Sequence, residues 1–168
     1  MRVQVNTPRV RQWLALTALA MLGACGFQLQ GRQVLPAVLA NVHVEPADRQ
    51  SEFTRALRAS LSASGAKLVA EAAEQAAEVH ILRDEFAETV LSVDARNIPT
   101  DYELTYTVEI QAHAQQRELL PAEKFELSRI YSFDERKLLA KEREKEILRE
   151  ALARDLASVV TRRLSTLQ

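Results

Sequence analysis

Tyr102-Glu103-Leu104-Thr105-Tyr106-Thr107-Val108-Glu109-Ile110 alternates large apolar and polar side chains without a break. In a β-strand successive side chains point to opposite faces, so this stretch specifies a strand with one core face and one face for solvent or a partner. A turn precedes it at Asn97 and Pro99, and another follows over Gln115 to Glu118, leading to Pro121. Upstream, Val79 and Ile81 followed by Phe86, Val90 and Val93 mark a long bulged strand, or two strands in succession. Downstream, Phe125 and Leu127 followed by Tyr131 and Phe133 give a final strand. The segments together predict an antiparallel meander.

Helical spacing flanks this centre. Val42 and Val44 around His43, ahead of Pro46, predict a short strand. Phe53, Ala56, Leu57 and Leu61 then recur at helical spacing, predicting a helix from Ser51 to Ser64 that Gly65 ends. Glu71 to Ala77 lack large apolar residues to bury and read as a connection. Ser132 and Glu135 have capping-box spacing, with Asp134 as a rival N-cap, and open a helix lasting nearly to the end. Its apolar stripe comprises Leu148, Leu152, Leu156, Val159 and Val160, widened by Ala151 and Leu164. Lys141 to Glu146 alternate in sign on the opposite face, and Glu150 precedes Arg154 by one helical turn. The order β-α-β-β-β-α predicts an α+β fold: a two-layer sandwich with a mixed sheet of about four strands and both helices on one face. The other sheet face and the strand edges are left for a larger partner to enclose.

The beginning of the chain specifies delivery. Arg2, Arg9 and Arg11 precede an apolar run from Trp13 to Leu22, then Leu22-Gly23-Ala24-Cys25. This is the layout of a secretory signal, and the run is far shorter than the roughly 20 residues that span a bilayer. Leu22 and the small residues before Cys25 resemble the bacterial lipobox. The resemblance implies cleavage before Cys25, a diacylglycerol on its thiol and an N-acyl chain on its freed amine, enough chains for stable anchoring. Cys25 is the sole cysteine, with no partner for an intramolecular disulfide. Gly26 follows, instead of the aspartate that retains lipoproteins of enterobacterial type in the inner membrane, so the expected destination is the outer membrane. The expected organisation is a signal peptide over 1–24, a lipidated tether over 25–40 and one domain over 41–168. Without residues 1–24 the formal charge is −4, which argues against nucleic acid as a partner.

Catalytic machinery is missing from the pattern. His43, His80 and His113 all lie on strand-like segments, and none pairs with another at helical zinc-ligand spacing. No phosphate-cradling glycine loop or Gly-x-Ser-x-Gly elbow occurs, and the one thiol is committed to lipid. Glu142, Glu144 and Glu146 alternate with Lys and Arg and form a solvated helix face. The sequence therefore predicts a non-enzymatic protein that binds or assembles, with no metal and no cofactor beyond the lipid on Cys25.

Three segments carry a family resemblance: Cys25 to Gly31; Leu91 to Tyr106, including Arg96-Asn97-Ile98-Pro99-Thr100-Asp101-Tyr102-Glu103-Leu104; and Tyr131-Ser132-Phe133-Asp134 through Leu139-Ala140-Lys141-Glu142 to Asp155. In order and spacing they resemble the lipopolysaccharide-assembly lipoprotein family LptE. Gln30 departs from the pattern where the family often has a basic residue, and the tail after Leu164 is short. The resemblance implies a plug in the lumen of LptD, the outer-membrane β-barrel that inserts lipopolysaccharide, and contact with lipopolysaccharide itself during delivery to the cell surface. It further implies Arg96 and Lys141 as ligand contacts, since they match basic positions of the family. Arg129, on the last strand, is the plainer case of a charge paired to a neighbouring acid. The rival readings are an auxiliary lipoprotein of an ABC-type lipid transporter, and a lipid-anchored periplasmic enzyme.

Overall fold

A computed structural model describes residues 34–72 and 75–167. The expectations for the signal peptide, Cys25 and the first part of the tether lie outside these residues. Five strands form one sheet: β1 (Asn41–Glu45), β2 (Lys67–Val69), β3 (Ala77–Val93), β4 (Pro99–Ala114) and β5 (Arg117–Ser132). Helix α1 (Glu52–Ala63) joins β1 to β2, and helix α2 (Leu138–Ser165) follows β5. The strand order is β2-β1-β3-β4-β5. β1 runs parallel to both β2 and β3, and β3, β4 and β5 are antiparallel. The architecture is the expected mixed-sheet sandwich with one more strand. β2 adds that strand beside β1; it has three residues and no buried side chain, so it leaves no alternating pattern to read.

The alternation in β4 places Leu104, Tyr106, Val108 and Ile110 in the core beneath both helices. Phe53 of α1 and Phe86 of β3 each lie within 6.4 Å of the Tyr106 ring, measured between centroids. β3 is one continuous strand whose register slips between Ile81 and Arg83. That bulge turns Leu82 outward and keeps Phe86 on the core side. β5 starts earlier than the sequence suggests and runs through Pro121. Proline has no N–H to give to a ladder, and β5 is an edge strand, where none is needed on the outer side. The hairpin before it is two residues long: Gln115 and Gln116, at φ 48° and 66°, take the left-handed backbone that such a turn requires.

Helix ends follow local chemistry. Ser51 Oγ accepts the Thr54 N–H at 2.9 Å. Gly65, at φ +100°, closes α1, with Ala66 N–H donating to Leu61 O and Gly65 N–H to Ser62 O, the paired bonds of a Schellman ending. Before α2 it is Asp134, the rival cap, that accepts the Arg136 N–H at 3.1 Å and opens a short 3-10 turn at Glu135–Lys137. Ser132 instead ends β5 and donates to Asp101 at 2.8 Å. α2 buries Leu152, Ala153, Leu156, Ala157, Val160, Thr161 and Leu164, but none of its residues before Leu152. Val159, placed in the stripe by the sequence, is 36% exposed. Leu39 is fully buried, so packing of the domain begins within the segment assigned to the tether. Among the described residues no helix is long and apolar enough to cross a membrane.

Among the described residues no helix covers the second sheet face. It presents Glu103, Thr105, Thr107 and Glu109 from β4, flanked in register by Glu85 and Thr89 on β3 and by Glu126 and Ser128 on β5.

Candidate functional site

The turn between β3 and β4 and the link from β5 to α2 lie at one end of the sheet, because antiparallel pairing brings the end of β3, the start of β4 and the end of β5 together. Between them opens a cleft of about 400 Å³ whose lining includes Arg96, Thr100, Phe133 and Arg136. Each arginine is set by an aspartate two residues before it. Asp94 Oδ1 accepts the N–H groups of Arg96 and Ile98 at 2.8 and 3.0 Å, and its Oδ2 takes the Arg96 guanidinium at 3.0 Å. Asp134 Oδ1 accepts the Arg136 N–H, and the guanidinium lies 3.3 Å away. The sequence signal was Asp-x-Arg, present twice; only the fold brings the two copies to one cleft.

Electrostatics here are balanced. The Ile98 N–H, then the bonds from Arg96, hold the Asp94 carboxyl below the ordinary range. The Arg136 N–H does the same for Asp134. Asp101, beside the cleft, is lowered by hydrogen bonds from Ser92, Ser132 and Thr100. Both arginines remain open to solvent, Arg96 at 72% and Arg136 at 88% side-chain exposure. Both guanidinium forks line the cleft, and each could exchange its aspartate for a phosphate.

Apolar side chains ring the same end. Val90, Leu91 and Val93 close β3, and Leu138 and Leu139 open α2, all exposed. Behind them Tyr102 stacks on Tyr131 at 5.7 Å and meets Phe133 edge-on at 5.6 Å. Cations beside exposed apolar groups match the two halves of an anionic lipid.

The two basic residues singled out by the sequence are placed differently. Arg96 lines the cleft. Lys141 sits one turn into α2 with its side chain 18% exposed and its ammonium 2.7 Å from Glu144, and it is absent from the cleft lining. Arg136, not singled out by the sequence, lines the cleft together with Arg96. Arg129 is paired, with Asp155 of α2 at 2.6 Å. Among the described residues no three histidine, aspartate or glutamate side chains already surround a point that could hold a metal ion.

A family model described as lipopolysaccharide-assembly, LptE, matches residues 39–164. The LPS-assembly lipoprotein LptE of Pectobacterium atrosepticum is 25% identical over 162 residues, covering 95% of this chain and 88% of the relative. The crystal structure of the rare lipoprotein B from Shewanella oneidensis superposes with a TM-score of 0.66 at 25% identity, covering 75% of this chain and 94% of that one. The solution structure of an uncharacterized lipoprotein B from Nitrosomonas europaea gives 0.69 at 25% identity, covering 83% and 90%. The family match spans the whole described sandwich, from the buried Leu39 to the last core residue of α2, Leu164: the chain belongs to the LptE family of non-enzymatic lipopolysaccharide-assembly lipoproteins.

Proposed function

We propose that the chain is cut before Cys25, anchored in the outer membrane by a diacylglycerol and an N-acyl chain on that residue, and seated as a plug in the lumen of the β-barrel LptD, where it helps to deliver lipopolysaccharide to the cell surface. The observation that carries the plug reading is the open face of the β3-β4-β5 meander. It is long and, among the described residues, uncovered; threonine and glutamate side chains dominate it, with Ile130 exposed among them, and such a face suits the polar interior of an outer-membrane barrel. Left in water, such a face needs no partner; enclosed, its side chains can hydrogen-bond to the lumen wall.

Arg96 and Lys141 are the proposed contacts to the phosphorylated glycolipid. Support for Arg96 is its exposed fork in a cleft beside apolar side chains. Arginine takes phosphate bidentately, while lysine supplies a compact charge. Lys141 would have to leave Glu144 to do so.

Co-isolation tests the partner. The full-length chain, tagged and extracted in mild detergent, should bring out a β-barrel in a one-to-one ratio. Recovery with the subunits of an ABC-type transporter, or with no integral protein, would overturn the reading. For the ligand, Arg96→Glu with Lys141→Glu should weaken lipopolysaccharide binding, and unchanged affinity would remove the ligand contacts while leaving the plug in place.

A further inference from the structure

The two halves of α2 are held in different ways. From Leu152 onward the helix buries seven side chains, whereas none before Leu152 is buried. In the first half Leu148 packs partly against the core, while Leu138, Leu139 and Ile147 are exposed. The less exposed side chains of that half include Lys141, Lys145 and Arg149, spaced four apart and so on one helix face. Each meets a carboxylate. Lys141 Nζ lies 2.7 Å from Glu144, Lys145 Nζ lies 3.3 Å from Glu88 on β3, and Arg149 Nη2 lies 2.7 Å from Glu52 on α1. Arg149 also sits over the Phe86 ring, 5.4 Å from its centroid. Its Nε is buried without a hydrogen-bond partner, so the link to Glu52 uses half of the guanidinium fork. Ion pairs partly open to water contribute little each, whereas buried leucine and valine side chains hold a helix firmly.

We propose that residues 138–150 of α2 form a strap, latched by Glu88 and Glu52, that lifts while the second half of the helix stays docked. The phosphate groups of an anionic lipid compete with those two carboxylates for Lys145 and Arg149. This competition, which rests on the reading of a phosphorylated glycolipid as the ligand, extends the site from Lys141 along α2. A phosphate takes both N–H groups of the Arg149 fork, including the one that Glu52 leaves unpaired. The latch is thus an autoinhibitory contact, in which acids of the protein hold the cations that the ligand needs. The strap begins two residues after Arg136, which lines the cleft with Arg96, so its movement shifts one wall of that cleft. A helix of this length is marginal by itself in water, so lifting is a local unfolding that amide exchange can read.

Amide hydrogen exchange on the full-length chain in detergent, at about 0.05 M and about 0.5 M sodium chloride, tests the strap. Residues 142–150 should exchange at least about tenfold faster than residues 153–163. High salt, and separately the double variant Glu52→Gln with Glu88→Gln, should widen that ratio and leave the second half unchanged. Equal protection along the helix would overturn the strap. A ratio that neither salt nor the variant moves would be plain end fraying and would overturn the latch. Lipopolysaccharide binding by the same chains tests the competition. The latch variant should bind at least about threefold more tightly than the unaltered chain. Glu103→Gln with Glu109→Gln, which removes the same charge from the uncovered face, should leave affinity unchanged. Equal affinity in the latch variant, or the same gain in this control, would overturn the competition alone. An unaltered chain that binds no lipopolysaccharide would instead remove the ligand reading itself, and the competition with it.

Discussion

Tyr131 on β5 reaches past β4 to donate a 2.8 Å hydrogen bond to Glu88 on β3, although those strands are not neighbours in the sheet. Lys145 of α2 reaches the other Glu88 oxygen at 3.3 Å. One carboxylate thus ties two strands to the part of α2 that buries no side chain. Desolvation first, and then the bond to Glu88, push the Tyr131 phenol well above its ordinary range, so it remains a donor wherever the protein is folded. Tyr131→Phe keeps the ring against Tyr102 and deletes only the donor. The expected loss is about 1 kcal/mol, seen as a lower urea midpoint at constant slope. An unmoved midpoint would show that the bond contributes nothing.

Helix α2 is held by its second half. Leu156 is fully buried, whereas Val159 is 36% exposed. Leu156→Ala should therefore cost about 2–5 kcal/mol and Val159→Ala no more than about 0.5 kcal/mol. Similar costs in denaturant titrations would mean that α2 is rotated from the orientation described.

Acid should loosen the cleft end first. Asp101 is lowered by the hydroxyls of Ser92, Ser132 and Thr100, and Asp94 and Asp134 are lowered by backbone N–H groups. A carboxyl lower in the folded than in the unfolded chain adds stability above the ordinary aspartate value, about 3.9, and loses it as pH falls through the folded value. The melting temperature should drop between about pH 5 and about pH 3, and Asp101→Asn should drop less over that interval. An equal drop in the variant would place the acid sensitivity elsewhere.

If lipopolysaccharide phosphate enters the cleft, Arg136 matters more than Lys141. The first is almost fully exposed and faces the cleft; the second is tied to Glu144. Arg136→Glu should weaken lipopolysaccharide binding more than Lys141→Glu does, as measured on the full-length chain. The reverse order would move the contact along α2.

How legible this was depended on whether one element could announce itself alone. β4 has the core on one side and, among the described residues, no covering element on the other, so its period of two survives in the sequence. α1 has a serine cap and a glycine stop, and its limits were readable to within one residue at each end. β2 was not, because Lys67, Leu68 and Val69 are held by pairing with β1 rather than by burying one face. The early start of β5 was hidden by Pro121, which only its edge position tolerates. In α2, Ser132 and Asp134 both carry capping chemistry, and the choice between them was made by Asp101, a strand away. Arg96 was legible through its motif. Arg136 became a candidate only when the meander carried it to the same end of the sheet.

The central claim is that the uncovered face of the meander works inside a β-barrel, and a photo-crosslinker placed at Thr105, in the middle of that face, addresses it most directly. In living cells Thr105 should form an adduct with LptD, while Ser158, on the exposed side of α2, serves as the comparison position. Adducts from Thr105 to an inner-membrane transporter subunit, or none at all while the protein is folded and lipidated, would contradict the account.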